Sequence, residues 1–110
     1  MSLKLYATTG EARTARKLVK LALAQGWSIS VNDGYETTVT RSTRELEILD
    51  ALATTEEDFI TLHLPISGKR AGLFVLIYGN AEDGSELIAD HTDNENCERL
   101  YREVYGEPVA

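Results

Sequence analysis

The sequence predicts an α+β fold: a mainly antiparallel sheet of five to six strands with two to three helices packed on it, in the order β-α-β-β-α-β-β-β-α. Three observations support this prediction. A long amphipathic helical segment lies near the start, short strand-like segments are separated by hairpin-type turns, and two further segments begin with helix-capping residues. The chain has 110 residues, 43% of them hydrophobic, which is enough for one core. We therefore expect residues 1–110 to form a single α+β domain.

The first two elements are predicted to be a strand and a helix. Residues 3–8 alternate well enough for a strand. Thr9 and Gly10 then form a turn, and residues 11–25 follow a helical period. Gly26 ends this helix, because glycine accepts the left-handed backbone at a helix C-terminus. The apolar face of the helix consists of Ala15, Leu18, Val19 and Ala22.

A hairpin is predicted next. Residues 27–31 alternate with a period of two, and Asp33-Gly34 favours a two-residue type I′ turn, whose central residues both need positive φ. The inward side chains of the returning strand would be Tyr35, Thr37 and Val39.

The second helix is predicted from a capping-box pattern. Ser42 is followed three residues later by Glu45, so each side chain could bond the other residue's backbone N–H group. Thr54 and Thr55 end this helix. Its apolar contacts come from Leu46, Ile48, Leu49 and Leu52.

Three strands and a last helix complete the prediction. The strands are residues 59–64, 73–78 and 85–90. The middle strand is apolar at every position, which suggests that it is covered on both faces. Thr92 or Asp93 would cap the last helix, and Gly106 would end it. The apolar stripe of that helix is Cys97, Leu100, Tyr101 and Val104.

Charge is distributed unevenly between the two halves of the chain. Residues 1–55 carry seven Lys/Arg and six Asp/Glu, whereas residues 56–110 carry four and twelve. This acidity argues against direct nucleic-acid binding and favours a basic protein partner that binds the C-terminal half. The predicted partner-binding residues are Glu82, Asp83, Glu86, Asp90, Asp93, Glu95 and Glu98. As an alternative, this acidic surface could act as a nucleic-acid mimic, although a dedicated mimic usually carries a denser charge.

Self-association is compatible with the same asymmetry. A basic stripe on the first helix could contact acidic residues of a second copy, and a homodimer would result. The stripe could equally be a solvated helix face. It consists of Arg13, Arg16, Lys17 and Lys20.

An enzyme is a further alternative. His63 and His91 are the side chains whose ordinary pKa lies near neutrality, and either could work with neighbouring carboxylates. Asp90, His91 and Asp93 are weak candidates for metal ligands. Helix capping uses the same residue types, so these residues can equally be structural. The sequence contains no catalytic motif, and we expect no cofactor.

The remaining features concern the compartment. Cys97 is the only cysteine, so an intramolecular disulfide is excluded. The first residues do not form the apolar segment of a secretion signal, and the longest apolar run, residues 71–78, is too short to cross a bilayer. We expect a cytoplasmic protein with no membrane partner. Its short, acidic, single-domain character resembles the accessory proteins of bacteriophages and prophages, although no specific residue carries that resemblance.

Overall fold

The computed structural model describes residues 6–106, and its fold is α+β with an antiparallel five-stranded sheet and three helices. The helices are α1 (Thr9–Ala24), α2 (Glu45–Ala51) and α3 (Glu95–Val104). The strands are β1 (Ser28–Asn32), β2 (Thr37–Ser42), β3 (Glu57–His63), β4 (Arg70–Ile77) and β5 (Ile88–His91). The predicted fold class is confirmed, and the observed order is α-β-β-α-β-β-β-α.

The predicted first strand accounts for the difference in order. Residues 3–5 of that prediction lie outside the described residues. Residues 6–8 form a turn and the helix cap rather than a strand. Thr8 Oγ1 accepts a hydrogen bond from the Glu11 backbone at 3.1 Å, and the Thr8 N–H donates to Glu11 Oε1 at 3.0 Å. This capping box starts α1 two residues before the predicted start.

The sheet has the strand order β2-β1-β3-β4-β5, and every neighbouring pair is antiparallel. Its register is fixed by a central row in which Ile60 lies between Val31 and Phe74. Val39 and His91 extend this row to the two edge strands. All five side chains therefore point to the same face of the sheet.

The three helices pack on that face. α1 lies between α2 and α3 and contacts both. Alternate residues of each strand join the helices in one core, which includes Leu18, Ile29, Ile60 and Phe74. The fold is thus a two-layer sandwich in which the helices cover one face of the sheet.

The other face of the sheet, here called the open face, is not covered by any helix of residues 6–106. Phe59, Leu73, Val75 and Ile77 point to it, are only partly buried and do not belong to the core. The prediction that the apolar strand is covered on both faces is therefore not met by the described residues. The apolar run does coincide with an interior strand, because β4 lies between β3 and β5, but it does not indicate a second helical layer.

The β1–β2 hairpin differs from the predicted two-residue turn. Its loop spans residues 33–36, and Asp33 Oδ1 accepts hydrogen bonds from the backbone N–H groups of Tyr35 and Glu36, both at 2.9 Å. The aspartate side chain thereby stabilises a wider loop. Tyr35 is 87% exposed rather than inward, whereas Val39 is buried as predicted.

Two predicted helix caps also differ. Ser42 is the last residue of β2, where it pairs with Ile29, and α2 begins after Arg44 without a side-chain cap. Thr92 Oγ1 accepts a hydrogen bond from the β4 backbone at Leu73 (2.9 Å), so this hydroxyl does not cap α3. Asn94 caps α3 instead. The Ser42 hydroxyl instead accepts a hydrogen bond from the Arg44 N–H (3.0 Å) in the connection between β2 and α2.

No helix within residues 6–106 combines the length and the apolar character that crossing a bilayer requires.

Candidate functional site

Acidic side chains are gathered at one end of the sheet, where four segments of the chain meet. Thr55 Oγ1 donates to the Asp33 carbonyl (2.6 Å), which joins the segment before β3 to the β1–β2 loop. The Tyr78 N–H donates to the Glu56 carbonyl (3.0 Å), and Thr8 Oγ1 donates to the Glu82 carbonyl (2.9 Å). We call this the acidic end. Its surface carboxylates are Asp33, Glu36, Glu56, Glu57, Glu82, Asp83 and Glu86.

A cleft of about 290 Å³ opens at the acidic end, beside the open face. Two aromatic rings at the cleft are exposed to solvent: Tyr6 is 45% exposed and Tyr35 is 87% exposed. The residues that line it are Tyr6, Asp33, Tyr35, Thr55, Glu56, Glu57 and Ile77. The cleft therefore combines three carboxylates with two tyrosines and one aliphatic side chain.

Asp33 is held in its charged form. Hydrogen bonds from the backbone N–H groups of Glu36 and Tyr35 lower the pKa of its carboxyl group below the ordinary value. Glu57 of β3 lies close to the same loop, since a Cβ at Gly34 would be 3.4 Å from its Oε1. The hairpin loop and the start of β3 thus bring two carboxylates of the cleft together.

A buried acid lies directly behind this end. Asp58 is fully buried, and its Oδ2 accepts hydrogen bonds from the Ala53 N–H (2.8 Å) and the Tyr78 hydroxyl (2.5 Å). Its Oδ1 has no hydrogen-bond partner among the described residues. Burial raises the pKa of Asp58 to about 6. The Tyr78 pKa is also raised, by burial and then by the Asp58 charge.

The opposite end of the open face is basic. His63 Nε2 is hydrogen-bonded to Ser30 Oγ at 3.1 Å, and that oxygen also accepts from the Arg41 N–H at 2.9 Å. Arg70 pairs with His63 across β3 and β4. Burial, followed by the charges of Arg41 and Arg70, lowers the His63 pKa. We call Arg41, His63 and Arg70 the basic end.

Arg41 reaches this position through a β-bulge. Its φ is 47°, a left-handed conformation that is uncommon for a residue other than glycine. The register of β1 and β2 shifts at the same point, between the pairs Ile29–Ser42 and Val31–Val39. The bulge places the guanidinium beside Gly68, in the turn between β3 and β4.

The structure separates the predicted partner-binding residues into two groups. Those in the loop before β5 lie at the acidic end, whereas those around the start of α3 lie at the other end of β4, where Asn94 Nδ2 donates to the Ala71 carbonyl (2.9 Å). Asp90 lies between them on β5, opposite Val75 on the open face. The first group is Glu82, Asp83 and Glu86; the second is Asp93, Glu95 and Glu98, of which Glu98 pairs with Arg102 at 3.7 Å.

The predicted basic stripe lies on the outer side of α1. Arg13, Lys17 and Lys20 are exposed and Arg16 is half-buried. Lys20 Nζ lies 3.6 Å from Glu45 of α2, and Arg13 lines a shallow depression with Glu82 and Asp83. Part of the stripe therefore contacts carboxylates of its own chain.

The two histidines have different surroundings. His91 points toward the helices, where its ring stacks on Phe74 (centroids 5.4 Å apart) and lies 5.0 Å from Tyr101. Its Nδ1 is 3.0 Å from the Thr92 carbonyl. His63 has serine and arginine neighbours rather than the carboxylates that the alternative of an enzyme requires.

The predicted ligand types do not converge on a metal position. Among residues 6–106, no three His, Cys, Asp or Glu side chains lie close enough together to hold an ion, and this applies to Asp90, His91 and Asp93. Cys97 is buried on α3, and burial raises the pKa of its thiol. A buried thiol with a raised pKa is a poor nucleophile.

Sequence reasoning missed the cleft and the basic end. Tyr35 was expected inside the protein, and Arg41 had no visible role. The Asp33-Gly34 pair followed by Tyr35 and Glu36 was the available signal for the cleft. The basic end depends on a bulge and on strand order, which a single sequence does not display.

Comparison with protein-family models, curated proteins and solved structures finds no match for this chain.

Proposed function

We propose that this protein is a small interaction module that binds a basic segment of a protein partner at its acidic end. The cleft receives a Lys or Arg side chain of that segment. One observation carries the proposal: three carboxylates and two exposed tyrosines line the same small cleft.

The chemistry of the cleft fits a cation. Carboxylates attract an ammonium or guanidinium group, and a tyrosine ring attracts the same group through its face. The Ile77 side chain offers an apolar surface to the aliphatic stem of Lys or Arg. A volume of about 290 Å³ suits one or two side chains better than a large cofactor.

The loop before β5 extends the negative field beyond the cleft. Glu82, Asp83 and Glu86 are exposed there. Most carboxylates of the acidic end thus come from the C-terminal half of the chain, which supports a basic partner bound mainly through that half. The field steers a basic segment toward the cleft and raises its association rate.

The test is a titration of the protein with a short arginine-containing peptide, in which NMR chemical-shift changes of the protein report binding. A peptide with glutamine in place of arginine is the ligand control. We expect the arginine peptide to bind and the glutamine peptide not to bind. The affinity for the arginine peptide should fall about tenfold from low to high salt. Shifts should be centred on Tyr35 and Glu57.

Variants locate the site. Glu57→Gln and Tyr35→Ala should each weaken binding about three- to tenfold, in line with one lost charged or cation–π contact. Glu95→Gln is the matched control, because Glu95 is an exposed acid at the far end of the molecule. Equal loss in all three variants, or equal binding of the glutamine peptide, would refute the proposal.

A further inference from the structure

The open face carries an apolar patch at its centre. Phe59 on β3 pairs with Val75 on β4, and Leu73 lies one row below, opposite Thr61. Ile77 completes the patch next to the cleft. These four side chains are only partly buried and do not contact the core that the helices cover. An apolar sheet face of this kind is typical of a protein interface.

Opposite charges flank the patch. Glu57 lies at the start of β3 and His63 at its end, so the acidic and basic ends are separated by about 20 Å along the strand. Arg70 lies beside His63 on β4. Among residues 6–106, neither Arg41 nor Arg70 forms an ion pair with a carboxylate of its own chain. Within the described part of the chain the basic end thus lacks a carboxylate partner, although the protein carries a net charge of −7.

We propose that a second copy of this chain covers the open face and forms a two-fold symmetric dimer. This inference rests on the proposed function, because the cation that enters the cleft is then an arginine of the second copy. The two-fold axis lies between the two facing sheets and is perpendicular to their strands. This axis places the acidic end of each copy over the basic end of the other. The same acidic–basic contact therefore forms twice, once at each end of the interface.

The sheet register specifies the contacts. With the axis at the level of Ile60, β3 lies over β3 and β4 over β4, at the usual spacing of about 10 Å between packed sheets. Val75 of one copy then lies opposite Leu73 of the other, and Glu57 lies opposite His63 and next to Arg70. On the β2 side of the interface, Glu36 of one copy lies at about the level of Arg41 of the other.

The remaining acid on the face agrees with this arrangement. Asp90 shares the row of Val75, and Thr92 continues β5 beside Leu73, to which its N–H donates at 3.0 Å. The two-fold axis therefore places Asp90 opposite Thr92 of the second copy, not opposite another carboxylate. An axis parallel to the strands would instead place acidic end on acidic end, which charge repulsion opposes.

Charge exchange tests the dimer. We expect wild-type protein to dimerise at low salt in analytical ultracentrifugation. Arg70→Glu and Glu57→Arg should each weaken self-association at least about tenfold, because each makes two like-charge contacts. An equimolar mixture of the two variants should restore a dimer that contains one copy of each. A wild-type protein that is monomeric at about 1 mM, or a mixture that stays monomeric, would overturn the inference.

The apolar patch provides a second test and separates the two proposals. Leu73→Gln should yield a monomer, whereas Leu46→Gln should not, since Leu46 is 65% exposed on α2, away from the open face. Circular dichroism checks that both variants are folded. The monomeric Leu73→Gln variant retains the cleft, so its binding of the arginine peptide tests the proposed function alone. Peptide binding combined with a monomeric wild type would overturn only the dimer.

Discussion

The carboxylate of Asp58 accepts a hydrogen bond of 2.5 Å from the Tyr78 hydroxyl, and both residues are buried. The Asp58 side chain lies on the helix side of β3, whereas the side chain of its neighbour Glu57 lies on the open face. The alternation of one strand therefore places one acid in the core and the next in the cleft. Burial raises the pKa of Asp58 to about 6.

Asp58 should make the stability of the protein depend on pH. The folded state holds the Asp58 proton more tightly than the unfolded chain, so this contribution is present below pH 4 and is lost as the pH rises through 6. A shift of about two pKa units corresponds to about 3 kcal/mol. Urea unfolding between pH 4.5 and 7.5 should show wild-type stability falling with rising pH. Asp58→Asn should remove that fall, because the amide does not titrate. Parallel curves for the two proteins would show that Asp58 ionises as freely in the folded state as in the unfolded one.

Tyr78→Phe removes the hydroxyl donor from Asp58 while preserving the ring. The carboxylate then keeps only the Ala53 N–H bond, and its buried charge becomes less favourable. We expect a loss of about 1–3 kcal/mol in the free energy of unfolding at pH 7.5. The loss should be smaller at pH 4.5, where Asp58 is protonated. Tyr35→Phe is the control, because the Tyr35 side chain is 87% exposed. A Tyr78→Phe loss of equal size at both pH values would assign the effect to packing instead.

The sequence patterns predicted the elements better than their connections. The apolar period of residues 11–25 identified α1 because burial against the sheet requires that spacing. The hairpin loop and both helix caps were wrong for one physical reason: Asp33, Ser42 and Thr92 can bond several backbone groups, and tertiary contacts decide which.

The candidate site was less predictable than the fold. Acidity of the C-terminal half was visible in the sequence, but its division between the two ends of the sheet depends on strand order. Asp33 and Glu36 join the acidic end from the N-terminal half, through the hydrogen bond between Thr55 and the Asp33 carbonyl. The basic end requires the positive φ of Arg41, which the Thr-Arg-Ser sequence around it does not indicate.

Glu11→Gln should destabilise the protein at the acidic end. The buried Glu11 carboxylate accepts hydrogen bonds from the backbone N–H groups of Thr8, Gly79 and Asn80 at 2.9–3.3 Å. A glutamine amide group would direct N–H groups toward these donors, so we expect a loss of about 2–3 kcal/mol in urea unfolding. Glu95→Gln, in the first turn of α3, should cost less than about 1 kcal/mol because that side chain is exposed. Similar losses in both variants would mean that the loop contacts of Glu11 add nothing to its capping role.

Gly72→Ala tests how closely α3 packs on β4. A Cβ at position 72 would clash with Cys97 Sγ, far inside van der Waals contact. Since Cys97 is buried on α3, the helix must move, and we expect a cost of about 1–3 kcal/mol from overpacking. Cys97→Ala removes the sulfur that the new methyl group meets. The double variant Gly72→Ala, Cys97→Ala should therefore be more stable than the sum of the two single losses predicts, by about 1 kcal/mol or more in a double-mutant cycle. Strict additivity would show that the backbone of β4, and not the thiol, excludes a side chain at position 72.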